Sequence, residues 1–351
     1  MYEFHWPTKT ILEAGGIAKI PQYLPSPGRR GVLLLVAPQE PWIQPLLEDL
    51  SGRLQERGWG EVIVYPEVEP NPSWDTVLGG VEKARRAGAS AVLAVGGGSV
   101  LDAAKVIAER TPVPYLCTVP TTAGTGGEIS PWAVISNLES REKESMIAKW
   151  PDLALLDPEL THSLPPQTTL FTGIDAFIHG LEAYLSSEAN AVTDALALQG
   201  MKMVNENLAV AIEDGDHGPA RQHMLEASLL TGAAMLHAGL GLMHAIGNVT
   251  GGLYHELAHG LILMRSMDTV LEFNQPVAGD KYQAITPLVD GIRSLAQAQF
   301  VKLTVPDVVV KEEDLSLLAQ RAAANVNART NPRPASPEEI QLLVQEAFTV
   351  R

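Results

Sequence analysis

The feature that most constrains the fold is an abrupt change of texture near residue 165. From Gly31 to about Pro120, short β-rich apolar runs alternate with longer amphipathic ones, the pattern of a parallel sheet covered by helices. The predicted strands are Val32–Ala37, Glu61–Tyr65, Ala91–Val95 and Pro114–Val119, with helices over Trp42–Arg57 and Trp74–Ala87, the second capped by Ser73. Residues before 31 are expected to add an edge hairpin. Trp132–Ser136 and Ser145–Ala148 read as a further ribbon, and Leu153–Leu156 as a last strand. Beyond 165 strand-like runs vanish, and Ala/Leu/Met-rich segments of helical period follow: Gly173–Leu185, Ala189–Ala211, Pro219–Ala238, Gly241–Tyr254 and several between 282 and 348.

At 351 residues the chain exceeds the size at which one core usually stops growing, so two domains are expected. The reading is an α/β nucleotide-binding domain at 1–162 and an all-α domain at 163–351. A single cysteine, Cys117, excludes an internal disulfide framework and a Cys-rich zinc site, and fits a reducing cytoplasm. The net charge of −16 carries no basic stripe, which argues against nucleic acid or an anionic membrane as partner. No leader-like N-terminus or long uncharged apolar run is evident, so a cytoplasmic protein without a membrane span is expected.

Two turns are candidates for an anionic ligand. Ala91–Val95 runs into Gly96-Gly97-Gly98-Ser99 and then a helix-like stretch carrying Asp102 and Lys105; glycines let backbone amides approach a pyrophosphate, and the helix start adds partial positive charge. Spacing alone leaves a plain tight connection equally open, because neither the dinucleotide fingerprint nor a P-loop is present. The second turn, Thr121-Thr122-Ala-Gly124-Thr125-Gly126, should lie on the same C-terminal edge of the sheet, where ligands of open α/β sheets bind.

In the helical half, Asp175 and His179 are four residues apart and share a helix face. With His244 and His259 they could supply three nitrogens and one oxygen, a set that suits Fe(II) or Zn(II) better than Mg(II) or Ca(II). A rival is His255-Glu256-Leu-Ala-His259, a literal His-Glu-x-x-His of the zinc proteases, although Arg265 stands where a third histidine would be expected. His237 and His255 read as hydrogen-bonded core residues or pocket lining, and Met235, Met243 and Met264 as packing.

Taken together, Gly96-Gly-Gly-Ser99 with Asp102 and Lys105, Thr121 to Gly126, Asp157-Pro158-Glu-Leu-Thr161, Gly173-Ile-Asp-Ala-Phe-Ile-His179-Gly-Leu-Glu182-Ala-Tyr184 and His259-Gly260 resemble the iron-containing alcohol dehydrogenase family. The resemblance implies a Rossmann-like N-terminal domain, a helical C-terminal domain, and a metal with NAD or NADP in the cleft between them. It implies Asp175, His179, His244 and His259 as metal ligands, Gly97, Gly98 and Ser99, with Gly96, as the pyrophosphate turn, and Thr121, Thr122 and Thr125 around phosphate and nicotinamide. Asp102 and Lys143 are weaker matches to the cofactor site. The substrate would be a small alcohol, aldehyde or ketone. A homo-oligomer, a dimer, is expected.

Three departures stand out. Asn248 replaces a family histidine often given a proton-relay role, and asparagine cannot exchange a proton near neutral pH. The 244–259 segment is one residue longer than in many relatives. Ala37-Pro38 stand where NAD-preferring relatives place an aspartate, which leaves NADP(H) open. A dehydroquinate-synthase-like lyase and a catalytically weak nucleotide- and metal-binding homologue are the alternatives.

Overall fold

The computed structural model describes residues 3–27 and 31–351. The described chain forms two compact units. One comprises residues 5–122 and 127–162; the other comprises 163–351 together with the short segment 123–126 and the described residues up to Phe4. The chain passes from the first unit to the second at 162/163, and the middle of the second glycine turn belongs to the helical unit.

The first unit holds β1 (Lys9–Leu12), α1 (Ile20–Tyr23), β2 (Val32–Pro38), α2 (Gln44–Glu56), β3 (Glu61–Val68), α3 (Trp74–Ala87), β4 (Ala91–Gly96), α4 (Gly98–Glu109), β5 (Tyr115–Pro120), β6 (Trp132–Asn137), β7 (Glu142–Ile147) and β8 (Leu153–Leu156). Six strands form an all-parallel sheet in the order β1-β8-β5-β4-β2-β3. Parallel strands covered on both faces should be apolar on successive residues, and they are. Leu34, Val36, Val92 and Ala94 enter one core with α3 and α4, while Leu33, Leu35, Leu93, Val95 and Cys117 enter the opposite core with α2. Ser73 caps α3 as its position suggests, accepting from the Thr76 amide at 3.3 Å.

One expectation fails here. Instead of an edge hairpin, the described residues before 31 form the single strand β1, paired in parallel with β8. The chain then turns away because Asp157, just after β8, accepts hydrogen bonds from the amides of Gly15 and Ile17, both at 2.9 Å. The expected ribbon forms as the antiparallel pair β6–β7, with its second strand starting three residues earlier than the sequence suggests.

The helical unit contains α5 (Pro166–Leu185), α6 (Ala191–Glu213), α7 (Gly218–Ala238), α8 (Leu242–Leu253), α9 (His259–Lys302), β9 (Val309–Val310), α10 (Leu315–Ala324), α11 (Pro337–Ala347) and β10 (Thr349–Val350). Helices α5, α6 and α7 pack mutually, α5 also lies against α9, and α8 packs on α9 and α10. Helix α9 begins well before the helices expected from residue 282 onward, and it is broken at Gly279, whose φ of 53° is non-helical. No single described helix is long and apolar enough to cross a membrane; α7 and α8, apolar together, are bent by 102°.

Candidate active site

The strand register places the two glycine turns. Val95 pairs with Val119 and Gly96 with Pro120, so β4 and β5 end level and their following turns leave one edge of the sheet. β3 lies on one side of β2 and β4 on the other, which makes the ends of β2 and β4 the point where the strand order reverses. Gly97 is the N-cap of α4 and offers no side chain to its first amides. A Cβ there would lie 3.2 Å from Thr122 Cγ2 and 3.3 Å from Thr122 Oγ1, so Gly97 and Thr122 face one another. The Thr121 amide donates to the Gly96 carbonyl at 3.0 Å. Ser99 Oγ accepts from the Asn71 amide at 3.1 Å, which ties the loop after β3 to the start of α4.

Of the weaker cofactor matches, Asp102 also has partners within the fold. The Asp102 carboxylate accepts from the Val134 amide at 3.0 Å and from Lys105 Nζ at 3.1 Å, fastening α4 to β6. Lys143 lies on β7 opposite Ser136. Thr125 sits in the segment 123–126 of the helical unit.

That unit builds the second cluster. Asp175 and His179 lie one turn apart on the buried face of α5. His244 is the third residue of α8, which is delivered by the sharp turn at Gly239, φ 74°. His259 is the first residue of α9, and the next residue has to be glycine: a Cβ on Gly260 would lie 2.1 Å from the Phe171 carbonyl of α5. The start of α9 can therefore rest directly on α5.

Three imidazoles converge on one oxygen. Asp175 Oδ1 lies 3.4 Å from His244 Nε2, 3.7 Å from His179 Nε2 and 3.8 Å from His259 Nε2. The ligand atoms of Asp175, His244 and His259 all lie within 4.8 Å of one another, and the His179 ring stacks on His244 at 4.5 Å between centroids. Asp175, His179 and His244 are buried, while the His259 side chain is 29% exposed and forms the open side. Neither Asp175 Oδ1 nor His244 Nε2 has a hydrogen-bond partner in the protein. Buried polar atoms are normally satisfied, so an orphaned oxygen facing an orphaned ring nitrogen is what a metal-ligand set looks like. Asp175, His244 and His259 could together hold a divalent ion, and the His179 ring stands beside them.

The outward nitrogens of two rings are held. His179 Nδ1 is 3.2 Å from the Gly124 carbonyl, and His244 Nδ1 is 2.6 Å from Glu182 Oε2. Burial disfavours the Asp175 carboxylate, but the neighbouring imidazoles outweigh it and hold its carboxyl below the usual range. Burial pushes His179 down to about 4. It also opposes charge on His244, where the Asp175 and Glu182 carboxylates prevail and raise it to about 9.

Other expectations resolve differently. His255 and Glu256 are exposed and lie in the turn between α8 and α9. The zinc-protease arrangement needs both histidines on one helix, so that motif is not formed here. His255 is therefore no core residue, and His237 on α7 stacks on Phe4 at 3.9 Å. Asn248 is buried on α8, one turn after His244. Glu182 belongs to the α5 motif and has no expected role there. Its spacing carried the signal, since 175, 179 and 182 follow the i, i+4, i+7 rhythm of one helix face.

Residues 7–158 match the sequence profile of iron-containing alcohol dehydrogenase, and residues 169–348 that of the Fe-containing alcohol dehydrogenase family, C-terminal. The chain is 36% identical over 336 residues to the 1-propanol dehydrogenase PduQ of Salmonella typhimurium, covering 86% of this chain and 89% of that one. It is 30% identical to the NAD-dependent methanol dehydrogenase of Bacillus methanolicus, across 99% of this chain and all of the relative. Among solved structures it is similar to an iron-containing alcohol dehydrogenase from Thermotoga maritima, with TM-score 0.88 and 27% identity over 99% of both chains. These likenesses place it in the class of metal-dependent, nicotinamide-linked oxidoreductases that interconvert alcohols with aldehydes or ketones. Within that class, the chain belongs to the iron-containing alcohol dehydrogenase family. The relatives and structures named here are alcohol dehydrogenases, not lyases or proteases.

Proposed function

We propose that Asp175, His179, His244 and His259 together hold one Fe(II) or Zn(II) ion, and that Gly96 to Ser99 with Thr121 and Thr122 take the nicotinamide dinucleotide. The observation that carries the first part is the convergence of three Nε2 atoms on the unpartnered Asp175 Oδ1. When bound, such an ion supplies a Lewis acid for the substrate oxygen. The α4 amides and the bare Gly97 suit a pyrophosphate. We take the substrate to be a short primary alcohol or its aldehyde, in keeping with relatives named for propanol and methanol.

Asn248 sets the proton chemistry. It stands on the His244 face of α8 but cannot exchange a proton near neutral pH, so the substrate proton travels through water or another group. NADP(H) is accepted as well as NAD(H), because Ala37, Pro38 and Gln39 at the end of β2 carry no carboxylate to repel a 2′-phosphate; the first acid, Glu40, is exposed.

Metal analysis of protein purified without air, paired with NADH and NADPH oxidation across an aldehyde panel, tests the reading. One equivalent of iron or zinc per chain, with turnover from both cofactors on short aldehydes, is the expected result. A protein that takes up no divalent ion, or that consumes neither cofactor, would sink it.

A further inference from the structure

We infer that Glu182 is a positioning residue of the metal centre: through His244 Nδ1 and the first amides of α8, its carboxylate sets the orientation and donor strength of one ligand. The inference rests on the metal reading above.

An α-helix begins with amides that have no intrahelical acceptor, and a buried helix start must find acceptors elsewhere. The N-cap of α8 is Gly241, which has no side chain to offer. Two residues from distant elements serve instead. Asn331 Oδ1 accepts from the Leu242 amide at 3.2 Å, and Glu182 Oε1 accepts from the Met243 amide at 2.6 Å. The other Glu182 oxygen lies 3.4 Å from the His244 amide and 2.6 Å from His244 Nδ1. Glycine at 241 is what admits both caps, since a Cβ there would lie 2.8 Å from Glu182 Oε1 and 2.8 Å from Asn331 Oδ1.

The arrangement is rigid on both sides. Asn331 is paired reciprocally with Asn274, at 2.8 and 3.1 Å, and also donates to the Arg333 carbonyl at 2.6 Å. Glu182, Asn274 and Asn331 are all buried. A carboxylate only accepts, so the proton of a neutral His244 ring belongs on Nδ1 and its lone pair on Nε2, the atom facing Asp175. His179 has a neutral carbonyl, that of Gly124, behind its ring. A carboxylate behind a ligating imidazole raises its basicity, and loss of such a partner typically weakens metal binding about 10- to 100-fold. Asn331 shares the capping task but touches no ligand side chain, so comparing the two separates orientation of the ligand from support of the helix.

The test adds Co(II) to the metal-free full-length protein and follows its visible d–d absorption. Uptake of one Co(II) by the wild type is the condition of the metal reading, and its absence would overturn that reading alone. Glu182→Gln keeps an acceptor for the Met243 amide but removes the charge; its Co(II) dissociation constant should rise about 10- to 100-fold with an altered d–d band. Asn331→Ala should lower the melting temperature of the metal-free protein and leave Co(II) affinity within about threefold. Wild-type affinity in Glu182→Gln, or an equal loss in Asn331→Ala, overturns the proposal. Should Glu182→Gln fail to fold, nitrogen-15 histidine spectra of the zinc-loaded wild type decide: a His244 ring without a proton on Nδ1 refutes the assignment, and a strongly deshielded Nδ1 proton upholds it.

Discussion

The turn at 96–99 and the imidazole cluster at 175, 179, 244 and 259, the two ligand sites proposed above, are built by opposite means. The first presents backbone: Gly97 withholds a side chain, and the amides of α4 remain free of any side-chain cap. The second presents side chains from three helices, with Asp175 lowered by the imidazoles around it and His244 raised by the Asp175 and Glu182 carboxylates, while Asp175 Oδ1 and His244 Nε2 have no hydrogen-bond partner in the protein. A backbone site is specified by a few consecutive residues, whereas a side-chain site needs the whole helical unit to be assembled.

The largest expected effect tests the side-chain half of this contrast. Asp175→Ala removes the oxygen on which all three rings converge, and should abolish stoichiometric metal and lower turnover by about a thousandfold, equivalent to the several kcal/mol a Lewis-acid ion contributes. Metal content by plasma emission and aldehyde reduction measure it; retention of a full equivalent of metal would break the assignment.

Next comes a buried acid in the sheet unit that lacks the mutual pairing of the cluster. Burial pushes Glu128 up to about 7, more than the attraction of Lys105 can offset. The folded pKa lies above the ordinary 4.5, so the protonated form is the one the fold favours. That contribution is complete below 4.5, is lost as pH rises through about 7, and amounts to about 3 kcal/mol. Glu128→Gln should therefore flatten this loss, stabilising the protein at pH 8 relative to wild type and changing little near pH 4. Urea unfolding at the two pH values shows whether it does; equal stability of both proteins at pH 8 would contradict the pKa assignment.

Gly97→Val sharpens the backbone half. Its side chain would meet Thr122 and fill the approach to α4, so KM for the dinucleotide should rise about tenfold while kcat at saturation stays within about twofold. An unchanged KM would mean that the turn is only a tight connection. The smallest effect belongs to His255→Ala: an exposed turn residue outside the cluster should alter metal content and turnover by less than about twofold.

Much of this was legible in the residues. Alternating runs up to Pro120 located β2 to β5 and α3 to within a few residues, because strand pattern and capping by Ser73 are short-range effects. The edge at residues 9–12 is not legible in the sequence, since β1 is defined by a partner more than 140 positions away in the chain and by the hold of Asp157 on Gly15 and Ile17. The motif at 255–259 misled for a related reason: the letters match a zinc helix, but the chain turns after Leu253 and starts afresh at His259.

The sequence alone determined the two-part architecture and the shared face of Asp175, His179 and Glu182, because helical geometry makes neighbours of residues three and four apart. Only the tertiary structure decided that His244 and His259 reach that face, that Gly260 lets α9 close on α5, and that Asn331 meets Glu182 at the start of α8. Those contacts join positions separated by tens of residues or more; they exist because burying the helix faces brings them together, and no local pattern encodes that distance.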